Sequence, residues 1–328
     1  MHNTYRPEGL LSGNAQIRSM ISDGRCGLER AMAEGIILES TALLCDEEMN
    51  LRIELHGIEG IMPREEVCYS KNGERAKDIA IITRVGKPIC FKVTSIFERE
   101  GKTVAILSRR QAQIECMNNY VSTLLPGDVV ESRVTHLESF GAFVDIGCGI
   151  ISLLTVDSIS VSRFSHPKDR LYCGMLLNTV IKMIDEENGR IFVSLRELLG
   201  TWSENAAQFN AGQTVAGVIR SIESYGVFVE LAPNLAGLAE LRDELSSGNL
   251  EVGRAVAVYI KSIIPERMKI KLVIIDSFID APPVHRLEYF VDCNKVSHLS
   301  SWRYSPEGSK RVIETVFDVQ RTDTTDII

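Results

Sequence analysis

The stretch PGDVVESRVTHLESFGAFVDIG, residues 126–147, decides the fold because it returns as AGQTVAGVIRSIESYGVFVELA at residues 211–232. Gly127 matches Gly212, Phe140 matches Tyr225, Gly141 matches Gly226 and Phe143 matches Phe228, each pair 85 residues apart. Further out, CGMLLNTVIKMIDEENGRIFVSL from Cys173 aligns with VGRAVAVYIKSIIPERMKIKLVI from Val252, now at an offset of 79. Gly174 there meets Gly253, and Arg190 meets Lys269. The smaller offset means a loop six residues longer inside the earlier copy. A packed unit tolerates such an insertion at its surface. A third, weaker copy lies upstream: VGKPICFKVTSIFEREGKTVAILSRR from Val85 matches the same second half at an offset of 88, and GIEGIMP from Gly57 resembles GCGIISL from Gly147. Repetition at a steady period marks tandem folding units.

Within each copy, apolar residues alternate over short runs rich in Val, Ile and Phe. The run AFVDIG puts Phe143, Asp145 and Gly147 on one face and Ala142, Val144 and Ile146 on the other, the pattern of a half-buried strand. Gly127, Gly141, Gly149 and Gly174 fall between runs, where turns or bulges belong. Four or five short strands in about 75 residues suit a small barrel, closed or partly open, which hides its strand edges. The expected fold is therefore mainly β: tandem five-stranded barrels joined by short helices, with a small β appendage at the C-terminus. The expected divisions are a helical segment at 1–30, a degenerate barrel at 31–110, barrels at 124–198 and 210–276, and the appendage at 284–328. The stretches RRQAQIECMNNYVSTLL and LRELLGTWSENAAQF read as helical connectors, the second weakened by Gly200. After a linker at APPVHR, the runs LEYFVD, HLSSWRYS and RVIETVFDV read as three strands, with no chemistry evident in them.

Charge and cysteines narrow the function. The formal net charge of −8 argues against coating duplex DNA through bulk positive charge, though not against a local groove that works by stacking. The eight cysteines are scattered with no C-x-x-C pair, as expected of small buried hydrophobes in a reducing compartment. The start MHNTYRPEGLLSGNAQ lacks the basic-then-apolar order of a signal peptide, and no apolar run approaches membrane-helix length. A cytoplasmic protein with no membrane association is expected. P-loop, nucleophile-elbow and zinc-protease motifs are missing, so no enzyme activity, cofactor, metal or small-molecule substrate is expected.

The combination SFGAFVDIG followed by DEENGRIFVSLRE resembles the S1 RNA-binding domain, an OB-fold family named for the large RNA-binding protein of the bacterial small ribosomal subunit. The likeness covers both later copies end to end and the first loosely. It leaves residues 1–30 and 277–328 unexplained. Three linked copies resemble a short ribosomal-protein-S1-like chain. The resemblance implies single-stranded RNA, specifically mRNA, as partner, with the small ribosomal subunit as a further one. It also implies a site of two aromatics on adjacent strands, a His on the next strand, and an Asp and Arg near the last. Carried over residue by residue, the middle copy supplies Phe140, Phe143, Asp185 and Arg190, with Ser152 at the His position. The last supplies Tyr225, Phe228 and Lys269, with Glu240 at the His position. In the first copy the aromatic positions fall near Leu43, Leu44 and Cys45, so that unit is expected to dock on protein.

The physics of these residues agrees with that reading. Unpaired bases expose flat π-faces, and aromatic side chains on a barrel surface can stack on them. In Phe-Gly-x-Phe the glycine permits a turn or bulge, so both rings can emerge on one face. Arg190 and Lys269 can reach phosphates, as can Lys182 and Lys261 at matching places on the fourth strand, and Arg133, Arg196 and Arg220 lie near. A lone strand phenylalanine is more often core. A pair that recurs at a fixed distance from a glycine, with a recurring cation, favours a surface platform. His136 and His166 read as solvent-facing or structural. The loop SRFSHPKDRLYCG is basic enough to touch phosphate. The competing reading is a protein-interaction scaffold that keeps the fold without the RNA function, or an accessory subunit of an RNA-processing or transcription complex.

Overall fold

The computed structural model describes residues 4–70, 73, 75–240, 250–277 and 287–318. The N-terminal segment enters as a strap of turns, with a 3₁₀ turn at Leu11–Gly13, before helices α1 (Ala15–Ser22) and α2 (Gly24–Glu34). Asn14 caps α1 by accepting a bond from the Gln16 N–H, and Gly35 ends α2 in the left-handed region, φ +66°. Strands β1 (Leu38–Cys45), β2 (Leu51–Leu55) and β3 (Ile58–Met62) follow, then α3 (Asp78–Ile82), β4 (Pro88–Arg99) and β5 (Lys102–Ser108). Helix α4 (Arg109–Asn119), capped by Ser108, leads to β6 (Val129–Glu138), β7 (Gly141–Asp145) and β8 (Ile151–Thr155). After the short helix α5 (Val156–Ile159) and a long loop come β9 (Leu176–Asp185) and β10 (Arg190–Ser194). Helix α6 (Trp202–Ala206) precedes β11 (Thr214–Glu223), β12 (Gly226–Ala232), β13 (Leu235–Ala239), β14 (Ala255–Ile264) and β15 (Lys269–Ser277).

Each set of five strands closes into a barrel in the same order: first, second, third, fifth, fourth, and back to the first. Neighbours run antiparallel except the third and fifth strands, which are parallel: β3 with β5, β8 with β10, β13 with β15. Closure leaves no free edge. The bending it needs is built in as bulges at matching points of the first strands, between Ala42 and Leu44, Val134 and His136, and Ile219 and Ser221. Inward residues of all strands form the cores, with Ala142, Val144 and Leu154 fully buried in the middle barrel.

The barrels are docked, not strung on loose linkers. One apolar cluster runs from Leu11 through both the first and middle barrels to Leu199. The strap seals that junction: Glu8 makes a two-pronged ion pair with buried Arg109, at 2.6 and 3.0 Å. The connector 195–209 forms two pieces, a 3₁₀ turn at Arg196–Leu199 and α6, broken where Gly200 takes φ +79°. The linker APPVHR lies outside the described residues. The appendage corrects the expectation of three strands. Among the described residues its strands are β16 (Ser301–Arg303) and β17 (Glu314–Val316), which pair with each other, while His298 makes a single bridge to Asp128. The run LEYFVD forms no strand because its polar groups bond singly to the middle barrel: the Phe290 N–H to the Leu198 carbonyl, and the Tyr289 hydroxyl accepting from the Asn178 N–H.

Candidate nucleic-acid interface

Phe140 stands in the turn between β6 and β7, 52% exposed, and Tyr225 stands at the matching turn between β11 and β12, 62% exposed. Each faces its partner edge-on. Phe140 and Phe143 centroids lie 6.0 Å apart at 88°, and Tyr225 and Phe228 lie 6.2 Å apart at 90°. Phe143 and Phe228 are half-buried. The glycines between them serve close approach. A Cβ on Gly141 would sit 2.4 Å from the Leu154 carbonyl oxygen, and one on Gly226 2.6 Å from that of Ala239. Of the turn or bulge expected there, the turn is found, with each glycine directly after it letting the second strand lie against the third, while the bulges lie in the first strands.

Strand register extends each pair into a row. Across the middle barrel, His136, Phe143, Leu153, Phe192 and Met183 are successive cross-strand partners. The His136 ring lies 6.4 Å from Phe143 at an interplanar angle of 23°, while its Nε2 meets Glu138 at 2.8 Å. In the last barrel the same row reads Ser221, Phe228, Leu238, Lys271 and Ser262. His136, Phe192, Met183 and Lys271 were not among the residues expected from sequence. Alternation places Phe192 beside Arg190 and Lys271 beside Lys269 on one face, but the parallel pairing that brings them to the rings has no local signature.

Register also corrects the third-strand assignments. Ser152 pairs with Val144, and Gly237 pairs with Val229, so Ser152 matches Gly237. Its side chain points into the barrel: Ser152 is 1% exposed and its hydroxyl has no hydrogen-bond partner. The residue that matches the surroundings of Glu240 is Thr155, paired with Gly141 at the end of β8. Glu240 itself is exposed at the end of β13. In the first barrel the pairs Ala42–Ile53 and Leu44–Arg52 put Arg52 at the place of Phe143, with Met49 before it in the turn. The expected positions Leu43, Leu44 and Cys45 belong to β1. Arg52 is held by Asp46 at 2.8 Å and Glu59 at 2.6 Å. The row through Arg52 carries no ring; Phe97, exposed on β4, stands two residues beyond it.

The cations divide into bound and free. Arg190, Lys261, Lys269 and Lys271 are exposed and have no ion pair among the described residues. Lys182 is shared between the Ser158 hydroxyl, 2.9 Å, and Asp157, 3.7 Å. Asp185 serves its own turn. The Asn188 side chain and backbone N–H bond to its carboxylate and hold it below the ordinary range. Arg133 is tied to the Glu8 carbonyl, 2.6 Å, and Arg220 to Glu230, 2.8 Å. Arg196 is tied to Glu197 and Thr315. In the basic loop, Arg163 and Lys168 are exposed, whereas His166 caps its own turn and Arg170 is buried against Glu230.

A family model described as the S1 RNA binding domain matches residues 124–196. The middle barrel belongs to the S1 RNA-binding domain family. Curated relatives extend the likeness beyond this S1 domain. The small ribosomal subunit protein bS1 of Leuconostoc lactis is 31% identical over 233 residues, 68% of this chain and 52% of that one. The bS1 protein of Staphylococcus saprophyticus is 32% identical over 179 residues, 51% of this chain and 45% of that one. The chain thus spans about half the length of the curated relatives it matches. Among solved structures, a multidomain protein with nucleic acid binding domains from Streptococcus pneumoniae is 13% identical and covers 74% of this chain and 73% of its own, with a TM-score of 0.24. Among the described residues no helix is long and apolar enough to cross a membrane.

Proposed function

We propose that this chain is a non-catalytic binder of single-stranded RNA in translation, taking mRNA alongside the small ribosomal subunit. The observation that carries the reading is the recurrence, on two barrels, of a perpendicular ring pair beside unpaired cations. Bases stack on Phe140, Phe143, Tyr225 and Phe228, while Arg190, Lys261 and Lys269 meet phosphates and Lys182 adds a further cation. Lys271 stands directly in the row of the last barrel, so that site leans more on charge and the middle one more on stacking. The S1 family match and the bS1 relatives support RNA over duplex DNA. Asp185 acts through its turn, placing Arg190. Ser152 is not part of the site, and Glu240 flanks it.

The test is a gel-shift series with single-stranded RNA at low salt. Replacing all four rings by Ala is expected to abolish the shift while circular dichroism stays native. Wild-type binding by that variant removes the assignment. The scaffold reading has its own support in the net charge of −8 and in the first barrel, where Met49 and Arg52 replace the ring pair. No shift by the wild-type chain at micromolar concentration would favour it. Co-purification with a nuclease or polymerase would favour the accessory-subunit reading.

A further inference from the structure

The C-terminal appendage brings a basic loop to the seam between the two ring-bearing barrels. Two clefts meet there. One, of about 390 Å³, is lined by Val156, Asp157, Arg163, Phe164, Arg196 and Arg311, among others. The other, of about 460 Å³, is lined by Glu266, Arg267, Lys269, Ser309, Lys310 and Arg311, among others. Arg311 lines both, so the two clefts adjoin at that residue. Their outer ends reach the two sites already described. Val156 donates its N–H to the Phe140 carbonyl, at 2.9 Å, and Lys269 is the last-strand cation of the third barrel.

Charge separates this surface from the rest of the chain. Two carboxylates, Asp157 and Glu266, face six cations along the clefts, in a chain of net charge −8. Arg163, Arg267, Lys310 and Arg311 are exposed and lack any ion pair or hydrogen bond among the described residues. Folding leaves them free, whereas Arg133, Arg170, Arg196 and Arg220 are all tied down. A row of free cations suits the regular phosphates of a single strand.

We infer that the appendage loop 308–313 is a phosphate-binding bridge that carries one RNA strand from the Phe140–Phe143 platform to the Tyr225–Phe228 platform. This rests on the RNA-binding reading and deepens it. The two barrels then act as one extended site, and the appendage, apart from propping the barrels, supplies the contacts between them.

The experiment uses the full chain and oligouridylates of two lengths. A short one of about 6 nucleotides fills one barrel, and a long one of about 20 spans both. The variant is R163Q/K310Q/R311Q, with R163K/K310R/R311K as the charge-conserving control. The Gln variant is expected to bind the short probe like wild type and the long probe about 10-fold more weakly. Its slope of log affinity against log salt should fall by about 2, while the control keeps the wild-type slope. Unchanged long-probe affinity and slope in the Gln variant overturns the bridge and leaves the RNA-binding reading standing. Failure of wild type to bind either probe overturns both. Poly-glutamate is the counter-probe. If it competes as well as RNA of equal charge, and the Gln variant ignores it, the clefts take an acidic protein segment and the RNA bridge is wrong.

Discussion

Phe140 and Tyr225 project from turns, and Phe143 and Phe228 lie in strands, so the four rings differ in what their loss does. Truncating an exposed turn residue changes stability by about 0.5 kcal/mol or less. Removing a ring that stacks a base costs about 1–3 kcal/mol of binding. F140A and Y225A are therefore expected to lower RNA affinity with an unchanged urea midpoint, measured by fluorescence anisotropy beside denaturation. Ser152 makes the opposite case. Its hydroxyl is buried and unpaired, so S152A should leave RNA affinity untouched and stability equal or higher. Glu240 is an exposed carboxylate beside a proposed phosphate path. E240Q should tighten RNA binding a few-fold at low salt, a gain that fades as salt screens it. The ring positions were legible in sequence because they flank a recurring glycine. Ser152 was misplaced because a position in a strand is defined by its partner across the ladder, which spacing alone does not supply.

At the scale of elements, the N-terminal strap shows how charge holds two barrels together. Burial opposes ionisation of Glu8, but the Arg109 charge and its hydrogen bonds outweigh this and hold the carboxyl below its ordinary value. Asp145 lies behind it and accepts backbone N–H groups from Glu8, 2.7 Å, Gly147, 2.8 Å, and Gly149, 3.0 Å. Burial and the Glu8 charge push its carboxyl up to about 7. E8A would leave Arg109 buried without its partner and is expected to cost about 3–5 kcal/mol by chemical denaturation. The pH dependence follows from the two carboxyls. The folded chain keeps a proton on Asp145 that an unfolded Asp loses from about pH 4 upward, so stability declines between about pH 4 and 7. Glu8 contributes stability above the unfolded Glu pKa that is lost as pH falls through its lowered folded value. Urea midpoints should peak near about pH 4, and D145N should flatten the decline above that peak. The alternation of AFVDIG puts Asp145 on the same face as Phe143. What covers it arrives from 137 residues away, and no local pattern announces that.

At the scale of the molecule, the middle and last barrels are locked by a buried Arg–Glu–Arg group. Arg170 and Arg220 both bond Glu230, at 2.5 and 2.8 Å, and burial draws Arg170 down to about 10 against the pull of Glu230. Asn234 adds bonds to the Val161 N–H and to the Arg196 and Gly200 carbonyls. The appendage completes the lock: the Tyr304 hydroxyl donates to the Asn234 carbonyl, and His298 joins Asp128. E230A strands two buried guanidinium groups, so it is expected to destabilise the junction by about 3–5 kcal/mol. Small-angle scattering should then show an enlarged radius of gyration, and proteolysis should cut the long loop between β9 and the preceding short helix. A fixed junction also sets how RNA sees the chain. Two platforms at a constant separation favour strands long enough to span them and give shorter ones only a single site.

The sequence by itself determined the repeat count, the strand alternation, the ring pairs and their companion cations, because each is written in local spacing or in one copy repeating another. It did not determine which residues lie side by side across the parallel third and fifth strands, which arginines stay free, or that the appendage lies along the seam of two barrels. Those outcomes depend on partners distant in the chain: Phe192 beside Leu153, Arg220 beside Glu230, Arg311 shared between two clefts. Pairing energy and burial select such neighbours only once the whole chain has closed on itself.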